Sequence, residues 1–284
     1  MTRVGEDIRL QLPHIELAAR LYGPPEGQPV IALHGWLDNA NSFARLAPKL
    51  RGLRIVALDM AGHGRSQHRP LGASYALWDY AYDVLEVARQ LEWARFSLLG
   101  HSLGAIVSVL LAAAQPQRIE RLALIDGAVA PSEPGEQLAQ RLGSALQAQL
   151  DWAAKRKSVF PEREHAIQAR MRGLVAVSRE AAHLLAARGL TAVPGGYTWS
   201  SDSRLTLPSP IRLTPTQALD FALAVQCPTV QVVAEEGLLA NNRELLSQLP
   251  FVQRQLPGGH HLHLNDDVGA ELVADCFNRF FAVP

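Results

Sequence analysis

Cysteine is scarce, with only Cys227 and Cys276 among 284 residues. Two are too few for a disulfide framework in a chain of this size, and both read as buried apolar thiols. Excess charge is also absent, since 27 Lys+Arg face 27 Asp+Glu. Such a balance leaves no electrostatic footprint for nucleic acid or an anionic membrane surface. No stretch approaches the roughly 18 continuous apolar residues of a membrane span. The opening "MTRVGEDIRL" lacks the basic region and apolar run of a secretory signal. The expectation is a cytoplasmic protein with no integral membrane segment and no nucleic-acid partner. Repeats and low-complexity tracts are missing as well.

What is present is an alternation of two periods. "IRLQL" and "IELAARLYG" alternate as an antiparallel edge hairpin would. Short continuous apolar runs follow at "PVIALHG", "LRIVALDM", "RFSLLG" and "IERLALIDG", separated by helical patterns near 42–50, 75–91 and 103–115. Strands without alternation, separated by helices, mean a mostly parallel sheet covered on both faces. From Pro131 to Leu213 the rhythm stops, and helical stretches break at Pro161, Pro194-Gly195-Gly196 and Pro208/Pro210. It then resumes with helix 214–226, strand "CPTVQVVAEE", helix 242–249, strand "FVQRQLPGG" and helix 267–282. The division is therefore a core of residues 1–130 and 214–284 with a helical insertion at 131–213.

"GHSLG" (Gly100–Gly104) fits G-x-S-x-G, ends an apolar strand and opens a helix. A tight turn there lifts the Ser102 hydroxyl above the carboxyl edge of the sheet, and the helix N-terminus favours negative charge. Serine also suits a helix N-cap, the plainer role for Ser102. A serine nucleophile needs a base. Of the ten histidines, three stand in "PGGHHLHLND": His260, His261 and His263. This loop follows the last strand, so it lies at the same sheet edge as Ser102. A zinc cluster is the competing reading, disfavoured because H-E-x-x-H is absent and adjacent histidines project differently. An oxyanion needs two backbone donors. Leu103 supplies one by position, and Trp36 in "LHGWLDN" offers the other. His34 and Gly35 shape that loop, while Asp38 bonds within it or caps a helix.

"HGW", "DMAGHGRS", "GHSLG" and "GGHHLHL", in this order, resemble the α/β-hydrolase fold superfamily. "HGWLDNANSF" and "GGYTWSSDSRL" resemble its serine hydrolase-like proteins more closely. The resemblance implies an eight-stranded, mostly parallel sheet with helices on both faces and a helical cap inserted after the sixth strand. It implies Ser102 as nucleophile, His260 as base and His263 as a supporting or packing residue. Relatives that open epoxides or displace halide carry Asp where this chain has Ser102.

The third triad member departs from the pattern. In relatives the turn after the strand beyond the cap reads roughly G-E-x-D. Here "VVAEEGLLANN" puts Gly237 and Leu238 where the aspartate belongs. Asp126, at the end of "RLALIDG", is the expected replacement, with Glu236 or Glu235 as alternatives and a turn-forming role as the plainer reading of Asp126.

The insertion carries eleven Lys/Arg against seven Asp/Glu. "KRK" (Lys155–Lys157), Arg163, Arg170 and Arg172 read as solvated helix faces. Met171, Leu174, Val175, Val177, Leu184 and Leu185 are expected to face the catalytic sheet and favour a moderately apolar acyl or alkyl group. Trp36, His101 and Trp199 are candidate substrate contacts; Trp199 and Tyr197 serve equally well as packing at the cap–core seam. "AGHGRS" fails both phosphate-loop patterns, and nothing calls for a nucleotide, flavin or metal. The expected function is a cofactor-independent serine hydrolase acting on a small-molecule carboxylic ester or related acyl bond. The alternative is a non-catalytic ligand-binding or scaffolding protein that kept the fold.

Overall fold

In the computed structural model the described residues are 5–152 and 156–282, so Met1–Val4 of the N-terminal stretch and Lys155 of "KRK" lie outside them. The strands are β1 (Glu6–Gln11), β2 (Glu16–Tyr22), β3 (Gln28–Leu33), β4 (Leu53–Leu58), β5 (Phe96–His101), β6 (Ile119–Ile125), β7 (Leu190–Val193), β8 (Gly196–Trp199), β9 (Thr229–Glu236) and β10 (Val252–Gly259). Eight of them form one sheet in the order β1-β2-β4-β3-β5-β6-β9-β10. β1 and β2 pair antiparallel, as does β2 with β4, and every later pairing in this sheet is parallel. All six residues of β5 are buried, as a central strand covered on both faces requires.

The helices are α1 (Leu77–Gln90), α2 (Leu103–Ala114), α3 (Leu138–Trp152), α4 (Arg163–Met171), α5 (Arg179–Gly189), α6 (Pro215–Leu223), α7 (Arg243–Gln248), α8 (Leu262–Asn265) and α9 (Asp267–Phe281). α1 and α2 pack on one sheet face around Leu98, Val107 and Leu122. α9 covers the other through Val273 and Phe277, against Leu99 and Val232. No helix among the described residues is long and apolar enough to cross a membrane.

Three local expectations need correction. The helical pattern near 42–50 is two 3-10 turns, Ala40–Phe43 and Ala47–Lys49. The break at Pro194-Gly195-Gly196 is the turn of a hairpin, β7–β8, whose Gly195 and Gly196 both have positive φ. Its strands are four residues long and largely half-exposed, so they carry no buried-strand signal. Both cysteines are half-buried rather than buried.

α3, α4, α5 and the hairpin make up the insertion between β6 and α6 that the sequence reads as a cap, and it is fastened unevenly. Arg188 of α5 is buried and places Nε 2.9 and 2.8 Å from the two oxygens of Asp59, which follows β4. Asn39 and Asn41 donate to the carbonyls of Leu185 and Leu184. α3, by contrast, buries only Ala145. Of the cap residues expected to face the sheet, Val177 and Leu185 are buried with Met171 and Leu184 beside them. Leu174 instead is 91% exposed, and Val175 is half-buried.

Candidate active site

Ser102 joins β5 to α2 with φ 52° and ψ −115°, a conformation costly for a residue with a Cβ. Its side chain makes no capping hydrogen bond, so the N-cap role does not account for it. The flanking glycines provide room. A Cβ on Gly104 would overlap the Leu33 backbone, and one on Gly100 would overlap the first turn of α2. The Ser102 N–H donates to the Ile125 carbonyl at 3.0 Å, tying the turn to the end of β6.

Asp126 follows immediately and is buried, at φ 42°. Its Oδ2 accepts from His260 Nδ1 at 2.5 Å and from the Leu238 N–H at 2.8 Å, and its Oδ1 accepts from the Ala234 N–H at 3.3 Å. An ionised carboxylate only accepts, so in the neutral imidazole of His260 the proton sits on Nδ1 and Nε2 is the acceptor. The space that a side chain at position 237 would fill belongs to this carboxylate, because a Cβ on Gly237 would overlap it. Glu235 and Glu236 are exposed at the end of β9 and are not brought to His260.

Leu103 opens α2, so its N–H is among the first-turn donors that have no acceptor within the helix. Trp36 stands in the loop after β3, 41% exposed, and its Nε1 donates to the Leu205 carbonyl of the cap at 3.0 Å. His34 shapes this loop as expected. It bridges the Gly35 carbonyl and the Met60 N–H, and burial lowers its pKa to about 4.

Other residues depart from expectation. His101 is wholly buried and does not present a substrate-facing surface. It lies among the rings of His260, His261 and His263 at centroid distances of 4.7, 4.9 and 4.4 Å. Its Nε2 donates to the His260 carbonyl at 3.0 Å, while Nδ1 is buried without a hydrogen bond, 3.9 Å from Asp38 Oδ2. Burial and the neighbouring rings hold it well below the ordinary histidine range. His263 is buried against Phe43, with Nε2 3.1 Å from Ser42 Oγ, and burial brings its pKa to about 3. Trp199 packs on Gly189 at the cap–core seam.

Asp38 neither caps a helix nor bonds its side chain within its own loop; Asn39 is the cap of the following turn. Asp38 Oδ2 accepts from His261 Nε2 at 3.0 Å, and Oδ1 accepts from Arg170 Nη2 at 2.8 Å. Arg170 is therefore not a solvated-face residue. Burial alone would raise the Asp38 carboxyl, but His261 and Arg170 outweigh it and hold it well below the usual carboxylate range. Asp38, His101 and His261 bring three possible ligand atoms within 4.8 Å of one another. The Arg170 guanidinium already supplies a cation there, 3.4 Å from His261 Nε2. Sequence reasoning missed this cluster because its members are far apart in the chain, in three separate motifs that say nothing of their meeting.

Residues 28–171 match the family model described as alpha/beta hydrolase fold. A serine hydrolase-like protein of Danio rerio is 33% identical over 98% of this chain and 89% of its own length. A hypothetical protein of Pseudomonas aeruginosa PAO1 is 64% identical, with TM-score 0.96 over 98% of this chain and 100% of that one. The thioesterase domain from the curacin biosynthetic pathway is 26% identical, with TM-score 0.84 over 97% and 99% of the two chains. The chain belongs to the α/β-hydrolase fold family.

Proposed function

We propose that the protein is a serine hydrolase cleaving a carboxylic ester or related acyl bond. The observation that carries this reading is the 2.5 Å bond from His260 Nδ1 to Asp126 Oδ2, at the sheet edge that holds the strained Ser102. Ser102 Oγ attacks the carbonyl carbon while His260 Nε2 takes the hydroxyl proton. Asp126 keeps the ring oriented and balances the imidazolium. The N–H groups of Leu103 and Trp36 receive the oxyanion. Collapse of the intermediate expels the leaving group, which takes the proton from His260. Water then attacks the acyl-enzyme, gives a proton to His260 and releases the acid, and Ser102 recovers its hydrogen.

The partly exposed Trp36 indole, which bonds the Leu205 carbonyl of the insertion, favours a small, moderately apolar acyl compound. Thioesters and lactones use the same apparatus. The balanced charge and two free cysteines suit a cytoplasmic enzyme without a nucleic-acid partner. The rival reading, a non-catalytic binding or scaffolding protein, rests on the missing aspartate after β9. The Asp126 carboxylate beside Gly237 supplies one to that turn.

A fluorophosphonate probe tests the proposal. Labelling of the wild type and its loss in Ser102→Ala are expected; labelling that persists in Ser102→Ala, or is absent from the wild type, would refute it. A panel of short-chain, long-chain, lactone and thioester substrates then separates the acyl classes.

A further inference from the structure

Beside the proposed triad lies a second histidine–carboxylate pair that the reaction does not use, and it is tied to the cap. Asp38 stands two residues after Trp36, and His261 follows His260 directly. One carboxylate thus touches both the loop that offers an oxyanion amide and the loop that carries the base. Arg170, in the last turn of α4, reaches into this junction from the cap. Its Nη1 donates to the Val175 carbonyl at 2.9 Å, which orients the guanidinium, and its Nη2 donates to Asp38 at 2.8 Å. His261 Nε2–H donates to the other oxygen of Asp38, so the nearby approach of Arg170 to that nitrogen is a contact without a bond.

The electrostatics explain why a cation from the cap belongs there. Asp38 is buried, and a carboxylate out of water requires a compensating charge. His101 does not supply it: its Nδ1 is 3.9 Å from Asp38 Oδ2, too far for a hydrogen bond, and burial and the neighbouring rings hold it well below the ordinary histidine range. His261 shares the carboxylate, and Arg170 is the permanent cation that reaches it. Removing Arg170 leaves an anion packed under His261 and beside the Trp36 loop, and both loops must shift to rehydrate or neutralise it. A displacement of an ångström in catalytic groups is worth on the order of a hundredfold in rate.

We propose that Arg170 is a positioning residue: through Asp38 and His261 it makes the seating of the cap a condition for correct placement of His260 and the Trp36 amide. As a statement about catalysis this rests on the hydrolase reading, but the clamp itself can be observed without turnover. It expects Arg170→Ala to lower kcat about 10- to 100-fold with KM little changed, and to slow fluorophosphonate labelling of Ser102 to match. Guanidinium ion added at millimolar concentration restores part of the rate, and Arg170→Lys retains part of it. Arg172→Ala, at an exposed position just beyond α4, stays at the wild-type rate. Wild-type labelling and kcat in Arg170→Ala overturn the proposal.

The second readout is the Nε2 proton of His261, assigned in NMR spectra by its loss in His261→Gln. A slowly exchanging resonance in the wild type that shifts or exchanges away in Arg170→Ala supports the clamp. The same resonance unchanged in Arg170→Ala overturns it. If this proton responds to Arg170 while the wild type shows no Ser102-dependent labelling, the clamp stands and the hydrolase reading fails. Should Arg170→Ala not fold, Arg170→Lys with the same two readouts decides.

Discussion

Two neighbouring histidines each bond a buried aspartate, and the proposed reaction passes a proton through only one of the two pairs. In the His260–Asp126 pair the acid takes Nδ1, so Nε2 remains available to a hydroxyl. In the His261–Asp38 pair the acid takes Nε2, and Nδ1 is buried with no partner. The counter-charges differ as well. Asp126 is held by the neutral amides of Leu238 and Ala234, so its full charge is available to an imidazolium. Asp38 already faces Arg170. The ring nitrogen chosen and the charge left over separate the proposed base from the proposed strut, although the two histidines are adjacent in sequence.

The largest effect expected on this contrast is from Asp126→Asn, which offers His260 an amide and destabilises the required tautomer. Turnover falls by about 10⁴-fold with the fold intact, as steady-state kinetics and circular dichroism can check. Near-normal kcat would remove Asp126 from the triad. Gly237→Ala strikes the same pair sterically, since its Cβ would displace the Asp126 carboxylate. It is expected to cost roughly 10²-fold in kcat, and an unaffected rate would mean that the carboxylate tolerates the shift. Asp38→Asn acts on the other pair: it removes the charge and one of the two acceptors, setting an amide N–H against the His261 or the Arg170 donor. About a tenfold loss of kcat is expected, and a loss equal to that of Asp126→Asn would abolish the distinction between the pairs.

Acid discriminates least, because it reaches the rings around both pairs. Burial lowers His34, His63 and His263 to about 4, 3 and 3. In the unfolded chain each titrates near 6.5. Below that value the unfolded state binds more protons, so the stability these neutral rings contribute is complete above pH 6.5 and is lost as pH falls toward their folded values. Each ring costs up to about 1.4 kcal/mol per pH unit over that window. The urea midpoint should fall between pH 7 and pH 5; a constant midpoint would mean that the rings become charged without unfolding the protein.

The parts legible in the sequence were those with short-range causes. The β5–Ser102–α2 turn is readable because a buried run, two small residues and a helical pattern adjoin. Asp126 was readable for a similar reason: it ends a strand whose carboxyl edge the topology already places. His101 reads as a substrate contact because it adjoins Ser102, whereas the strand sends its ring beneath the histidine loop. The β7–β8 hairpin escaped because its half-exposed strands have no apolar signature. Arg170 reads as one more solvated arginine of the insertion because nothing in its own segment distinguishes it from Arg163 or Arg172.

By itself the sequence determined the succession of the eight strands of the main sheet and the turn that holds Ser102. Both follow from periodicity and local sterics within a dozen residues. Only the tertiary structure decided which acid meets which histidine. Asp126 and His260 are 134 residues apart, Asp38 and His261 are 223 apart, and Arg170 enters from a different unit of the fold. Such pairings are set by where whole elements pack, because a buried charge takes its partner from whatever packing brings within reach.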